Sequence, residues 1–317
     1  MNANRLAVSV LMLAGCAFAQ KSWTAPKTAE GVPDLQGVWT NVTLTPLERP
    51  ANLAGKEFFT PAEAATYERD TVANNNADRR DGSAAADVNR AYNDFWYNRG
   101  TKVVKTLRTS LVIDPKDGHV PALTPQAQRL TEDRAAYRRA HPTDGPEDRS
   151  LTERCLVWPT LGPPMLPSFY NNNYQIVQGA GYVAILVEMI HDVRIVPTSG
   201  QAHLPSSVDQ WAGDPRGHWE GNTLVVETTN FTGKTSFRGS GPGMKLTERF
   251  TRTDPNTLMY EFTVNDPATF TRPWTAQVPM LKMDEPIYEY ACQEGNYAME
   301  GMLSGARNDE KAGASHQ

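Results

Sequence analysis

The sequence predicts a β-rich α+β fold, an antiparallel meander forming a barrel or sandwich, with a helical insertion after its first strand. Three observations carry this reading. From about residue 174 onward, short apolar runs alternate with turn residues such as Asp254-Pro255-Asn256 and Asp266-Pro267, which is the pattern of hairpin-connected strands. The 23 glycines and 23 prolines favour turns over long helices. The two strong helix starts, Thr60-Pro61 and Thr124-Pro125, both precede residue 150, and each sets a hydroxyl N-cap before a proline suited to the first helical position.

In chain order, Met1 to Arg5 with one arginine, the apolar run Leu6 to Leu13 and the small residues that follow read as an export signal. The run is too short to span a bilayer. Ala17-Phe18-Ala19 satisfies the small-x-small cleavage rule, giving a signal of residues 1–19 and a new terminus at Gln20. Leu13-Ala14-Gly15-Cys16 resembles the bacterial lipobox, which implies a 1–15 signal and a lipidated Cys16. The expected destination is therefore periplasmic or extracellular, or lipid-anchored in the cell envelope, with no transmembrane span in the mature chain. Residues 20–33, with Pro26, Gly31 and Pro33 and no apolar period, predict an extended leader.

Residues 34–150 hold the first strand and the helix-containing insertion. Leu35, Val38 and Trp39 begin a strand that ends before the turn-rich Leu44 to Pro50. Helices follow each capped proline, to about Asp70 and to Ala140, with a polar exposed connection from Asn74 to Asp87 between them. Thr109 to Ile113 reads as a strand entering the turn Asp114-Pro115-Lys116-Asp117-Gly118. His141 to Arg149, rich in turn residues, marks the organisational boundary.

Residues 151–317 form the antiparallel β region and a C-terminal tail, and the whole reads as one composite domain. Tyr174 to Gln178 and Tyr182 to Ile190 flank Gly179-Ala180-Gly181 as a hairpin. Further strands are expected at Asp192 to Val196, His218 to Trp219, Thr223 to Thr229, Lys245 to Arg252, Thr257 to Val264, Thr271 to Met280 and Ile287 to Cys292. Cys155 and Cys292 are an even pair in an oxidising compartment and predict a disulfide. Closing so long a loop restricts the unfolded chain by roughly 4 to 5 kcal/mol in the entropy model.

Candidate chemistry concentrates after residue 180. Strand alternation over Tyr182 to Arg194 puts Val183, Ile185, Val187, Met189, His191 and Val193 on one face, with Glu188, Asp192 and Arg194 opposite. Glu188, His191, Asp192, Arg194 and His203 are the catalytic candidates: a histidine exchanges protons near neutral pH and a carboxylate fixes its tautomer. A charge ladder competes with that reading. His191, His203 and His218 could also supply imidazoles to a metal, although the spacing matches no zinc-protease motif and the metal stays undetermined. No serine lies in a Gly-x-Ser-x-Gly elbow. Trp158, Trp211 and Trp219 are the ligand-binding candidates, since indoles give rigid apolar area with a polar handle, and core packing is their alternative role. Gly239 to Gly243 precedes a strand instead of opening a helix, so it reads as a lid or turn and not as a phosphate loop. The formal charge of −5 supplies no broad positive field for nucleic acid.

Thr152-Glu153-Arg154-Cys155, Glu188-Met189-Ile190-His191-Asp192-Val193-Arg194 and the stretch from Trp219-Glu220-Gly221-Asn222 to Asn230-Phe231 together resemble an uncharacterised family of exported bacterial proteins. That resemblance spans most of the mature chain and implies export and one extended unit, with no catalytic residue to carry over. Gly37-Val38-Trp39 resembles the Gly-x-Trp of the first strand in lipocalin-like, or calycin, barrels, which implies a barrel and ligand transport. The long helical insertion departs from a simple lipocalin. The leading expectation is a cell-envelope protein that binds a small apolar or aromatic ligand. The alternatives are a hydrolase or isomerase with a His/carboxylate site, metal-assisted or not, and a structural or interaction module. Cofactor and oligomeric state have no signature in the chain.

Overall fold

The computed structural model describes residues 23–80, 82–89, 93–158, 162–234 and 237–314. The export signal and both cleavage sites, Cys16 included, lie outside the described residues. The strands are β1 (Gly37–Thr40), β2 (Val112–Asp114), β3 (Asn173–Gly179), β4 (Tyr182–Val187), β5 (Val193–Pro197), β6 (Asp214–Glu220), β7 (Thr223–Thr229), β8 (Lys245–Asp254), β9 (Thr257–Asn265) and β10 (Trp274–Met283). They form a ten-stranded antiparallel sheet in the order β5-β4-β3-β1-β10-β9-β8-β7-β6, with β2 also pairing β10. The N-terminal strand thus joins the two halves of the later meander.

The sheet is not closed into a barrel: among the described residues no backbone ladder joins edge strands β5 and β6. Side chains at the β5 edge nevertheless lie against the β6 backbone. A Cβ added at Gly217 of β6 would lie 2.9 Å from a Val196 methyl and 3.0 Å from that of Thr198, so only glycine fits there without a shift. One sheet face is packed solid, with Trp39, Ile185, Phe250, Tyr260, Phe262 and Trp274 all fully buried. Ring centroids run 5.0 Å from Phe250 to Tyr260, 5.7 Å to Phe262 and 5.6 Å on to Trp274. These spacings are those of tilted and edge-on aromatic contacts.

The helices are α1 (Pro61–Asn75), α2 (Ala84–Asn89), α3 (Pro125–Ala140) and α4 (Tyr297–Ala314). The two predicted N-caps form. Thr60 and Glu63 make a reciprocal capping box on α1, and the Thr124 hydroxyl accepts from Ala127 N at 3.2 Å on α3. The short α2 lies in the stretch expected to be an irregular connection. No helix among the described residues is long and apolar enough to cross a membrane.

Five local expectations are corrected. The expected tail contains α4, whose Met302, Leu303 and Ala306 are half-buried, while Gly301, Gly305 and Gly313 dilute its helical signal. Ile287 to Cys292 is not a strand, because side-chain ties hold it instead of a ladder: Tyr288 N donates to Glu188 Oε1 at 3.0 Å. The described part of the leader is docked, with Ala25 and Pro33 buried and the Gln178 amide bridging Pro33 O and Leu35 N. The run from Tyr182 breaks at Val187. A 3-10 turn follows in which Ile190 and His191 take positive φ of 62° and 46°, reversing the chain so that β5 pairs back on β4 with Ile185 opposite Arg194. Arg194 therefore shares the inner face with Ile185 instead of opposing it. The β3–β4 connection is also shorter than expected, a two-residue turn with Gly179 paired to Tyr182.

Candidate binding cleft

An open cleft of about 1260 Å³ lies between the sheet, the helical insertion and the segment after it. Its apolar lining comes from Leu44 and Leu47 after β1, Leu111, Val157, Trp158, Leu166, and Phe231, Phe237 and Met244 from the β7–β8 connection. The volume is at or above the upper end of small-molecule sites, roughly 300–1,000 Å³. The tightly packed sheet face leaves the cleft outside the strand interior.

Local structure explains why these side chains are in place. Asn230, just past β7, has a left-handed φ of 55°, which asparagine tolerates better than most residues. Its Nδ2 donates to the carbonyls of Leu204, Pro205 and Val208 at 3.1, 2.9 and 3.3 Å, fastening the loop that presents Trp211 beside Phe231. The Asn172 amide plays a similar part for Ser168, accepting from its backbone N at 2.6 Å and donating to Asn98 O at 2.8 Å. Trp158 packs edge-on against Phe169 at 5.7 Å. Pro159 to Leu161, in the proline-rich sequel of Cys155, lie outside the described residues.

The wall from Glu147 to Trp158 is held from behind by the C-terminal region. Cys155 and Cys292 form the expected disulfide across 137 residues, with Cα atoms 5.7 Å apart. Asn296 Nδ2 donates to Glu153 O at 3.0 Å, and Arg307 of α4 donates to Thr143 O and Asp144 O at 2.8 and 2.9 Å. Within the wall, Arg149 pairs with Glu153, whose carboxylate also accepts from the Ser150 N and Oγ at 2.9 and 2.8 Å. Burial opposes ionisation of Glu153, but these hydrogen bonds and the Arg149 charge outweigh it and lower its pKa.

Of the sequence-predicted ligand contacts, Trp158 and Trp211 line this cleft, while Trp219 lines a separate small recess with Tyr182 and Gln178. The catalytic candidates do not line it and do not converge. Glu188 is buried and accepts from Asn173 Nδ2 at 2.7 Å. His191 is exposed, with Nδ1 3.1 Å from Tyr290 O, and exposed Asp192 accepts from Val193 N at 2.8 Å. Arg194 forks onto Glu248 at 3.1 and 2.5 Å inside the sheet, where Tyr260 Oη also donates to Glu248 at 2.8 Å. Burial lowers the Arg194 pKa but the Glu248 charge more than compensates, so the net shift is upward. Burial and then the same carboxylate hold the Tyr260 phenol well above its usual value.

His203 takes a partner the sequence did not suggest. Its Nδ1 is 2.9 Å from Asp214 Oδ2, and Asp214 also accepts from Leu204 N at 2.9 Å and Arg216 Nη1 at 2.5 Å. His218 lies 3.2 Å from Glu220 instead. Among the described residues, no three His, Cys, Asp or Glu side chains come together to hold a metal ion.

Sequence reasoning missed the basic lining of the cleft. Arg134 and Arg138 sit four apart on α3 and so share one helix face, but nothing in the chain says which face looks inward. Arg99 lies over the Tyr97 ring at 3.8 Å and donates to Asn75 O at 2.9 Å. Arg238 pairs with Glu48 at 2.8 Å. No known protein family, curated protein or solved structure matches this chain.

Proposed function

We propose that this protein binds a small apolar or aromatic molecule in the cleft lined by Trp158, Trp211, Phe231 and Phe237, as an exported protein of the cell envelope. The observation that carries the reading is the pairing of a large, partly apolar cleft with two of the predicted tryptophans. Concave sites with a mainly apolar lining and a few polar groups are the usual small-molecule sites. The Gly-x-Trp of β1 and the near approach of β5 and β6 support a lipocalin-like barrel as the parent architecture, with the ligand outside its packed interior. The disulfide is compatible with export.

Titration with pyrene-labelled probes, charged and neutral, tests the reading through tryptophan quenching. Quenching is expected in the native chain and in Trp219→Phe, and is expected to be lost in Trp158→Ala/Trp211→Ala. If no probe binds, or if the double variant binds as well as the native chain, the cleft is not the site. Intact mass checks export: the mature chain should start at Gln20 or at a lipidated Cys16, and a retained Met1 would exclude both routes.

A second reading, hydrolysis or isomerisation, has one observation in its favour, the His203–Asp214 pair. That pair lies outside the cleft lining, and Arg216 shares the Asp214 charge.

A further inference from the structure

Seven arginine or lysine side chains line the cleft against two carboxylates, Glu147 and Asp148, in a chain whose formal charge is −5. The concentration of positive charge is therefore local and opposite in sign to the whole. Three of these cations are neutralised by carboxylates: Arg149 by Glu153, Arg154 by Glu147 and Arg238 by Glu48. Arg99 is committed to a backbone carbonyl and a tyrosine ring. The side chains of Arg134, Arg138 and Lys234 have neither a hydrogen bond nor an ion pair among the described residues.

The three unpaired cations come from two elements that meet. Arg134 and Arg138 project from α3 on the same side as Thr131, and a Cβ on Gly239 in the β7–β8 connection would lie 3.7 Å from Thr131 Oγ1. Lys234 belongs to that same connection, which also supplies Phe231, Phe237 and Met244 to the apolar lining. Unpaired cations thus border apolar surface within one concavity. A purely apolar ligand lying against those charges would cover them without supplying a counter-charge, whereas an acid group would form charge-assisted hydrogen bonds with them.

We infer that the ligand is an anionic amphiphile, an aryl or acyl body ending in an acid group that Arg134, Arg138 and Lys234 receive. This rests on the cleft being the binding site, and the test separates the two. Fluorescence titration of the full, disulfide-bonded chain with pyrenebutanoate and its neutral analogue pyrenebutanol compares a shared aromatic body with and without charge. The anion should bind about tenfold more tightly at low salt, the sum of three modest charge contributions. The difference should shrink in 1 M salt, where screening is short-ranged. It should also vanish in Arg134→Gln/Arg138→Gln/Lys234→Gln, yet persist in Arg129→Gln/Arg139→Gln, which alters cations of α3 outside the cleft lining. Equal binding of the two probes would overturn the charge assignment and leave the apolar cleft standing. Failure of both to bind would overturn the cleft reading as well.

Discussion

Glu248 and Arg194 place a complete ion pair inside the sheet, where each exposes 4% of its surface or less. Two charges removed from water are stable there only as partners, so the loss of one should cost more than the loss of both. We expect Glu248→Leu to destabilise the protein by about 3–5 kcal/mol, and Arg194→Met/Glu248→Leu to cost much less than the sum of the single changes. Urea denaturation of the single and double variants reads this coupling, and simple additivity would show that the pair is not a unit. Arg194 was visible in the sequence as a charged residue in an apolar strand. Its partner was not, because β5 and β8 are separated by two strands and several loops, and no spacing links residue 194 to residue 248.

Helix α1 depends on its first turn. Lys56 is the largest influence on Glu63 and, with the Thr60 backbone and hydroxyl, lowers its pKa from 4.5 to about 2. A carboxylate with a depressed pKa stabilises the fold above its unfolded value and loses that contribution as pH falls through the folded one. Hydrogen exchange at the first-turn amides of α1 should therefore accelerate as pH falls from about 4.5 toward 2, after correction for intrinsic exchange. In Glu63→Gln that acid-dependent step should be absent. The sheet seam gives a second expectation for an element: Gly217→Val pushes a branched side chain against Val196 and Thr198. Overpacking of this kind costs about 1–3 kcal/mol, measurable as a lower denaturation midpoint, and an unchanged midpoint would mean that β5 and β6 are not held together. Both helix caps were legible because capping is local, written in residues three apart. The turn at Met189–His191 was not. It puts Ile190 at positive φ, a conformation β-branched residues disfavour, so local preference argues for continuing the strand.

At the scale of the whole molecule, the disulfide ties the cleft wall to the region that carries α4. Cys155→Ser/Cys292→Ser removes a 137-residue closure and should cost up to about 4–5 kcal/mol in the chain-entropy model. Because the same link backs the wall from Glu147 to Trp158, the variant should also bind the aromatic probes more weakly, even at temperatures where it remains folded. A variant that loses stability but keeps native affinity would show that the wall stands without the link.

Strand periods, turn residues, capped helix starts and the cysteine pair are properties of neighbouring residues or of composition, so the chain by itself determined a β-rich protein with a helical insertion and one disulfide. It also nominated Trp158 and Trp211, since large aromatics beside proline-rich or polar loops are visible without coordinates. Tertiary structure alone decided that Glu188, His191, Arg194 and His203 take separate partners, and that Arg134, Arg138 and Lys234 border an apolar cleft. The reason is physical: burial, pairing and convergence depend on which strands and helices adjoin, and here β1 from the N-terminal part pairs with both β3 and β10. Distances of that kind are set by the packing of the sheet and have no local sequence signal.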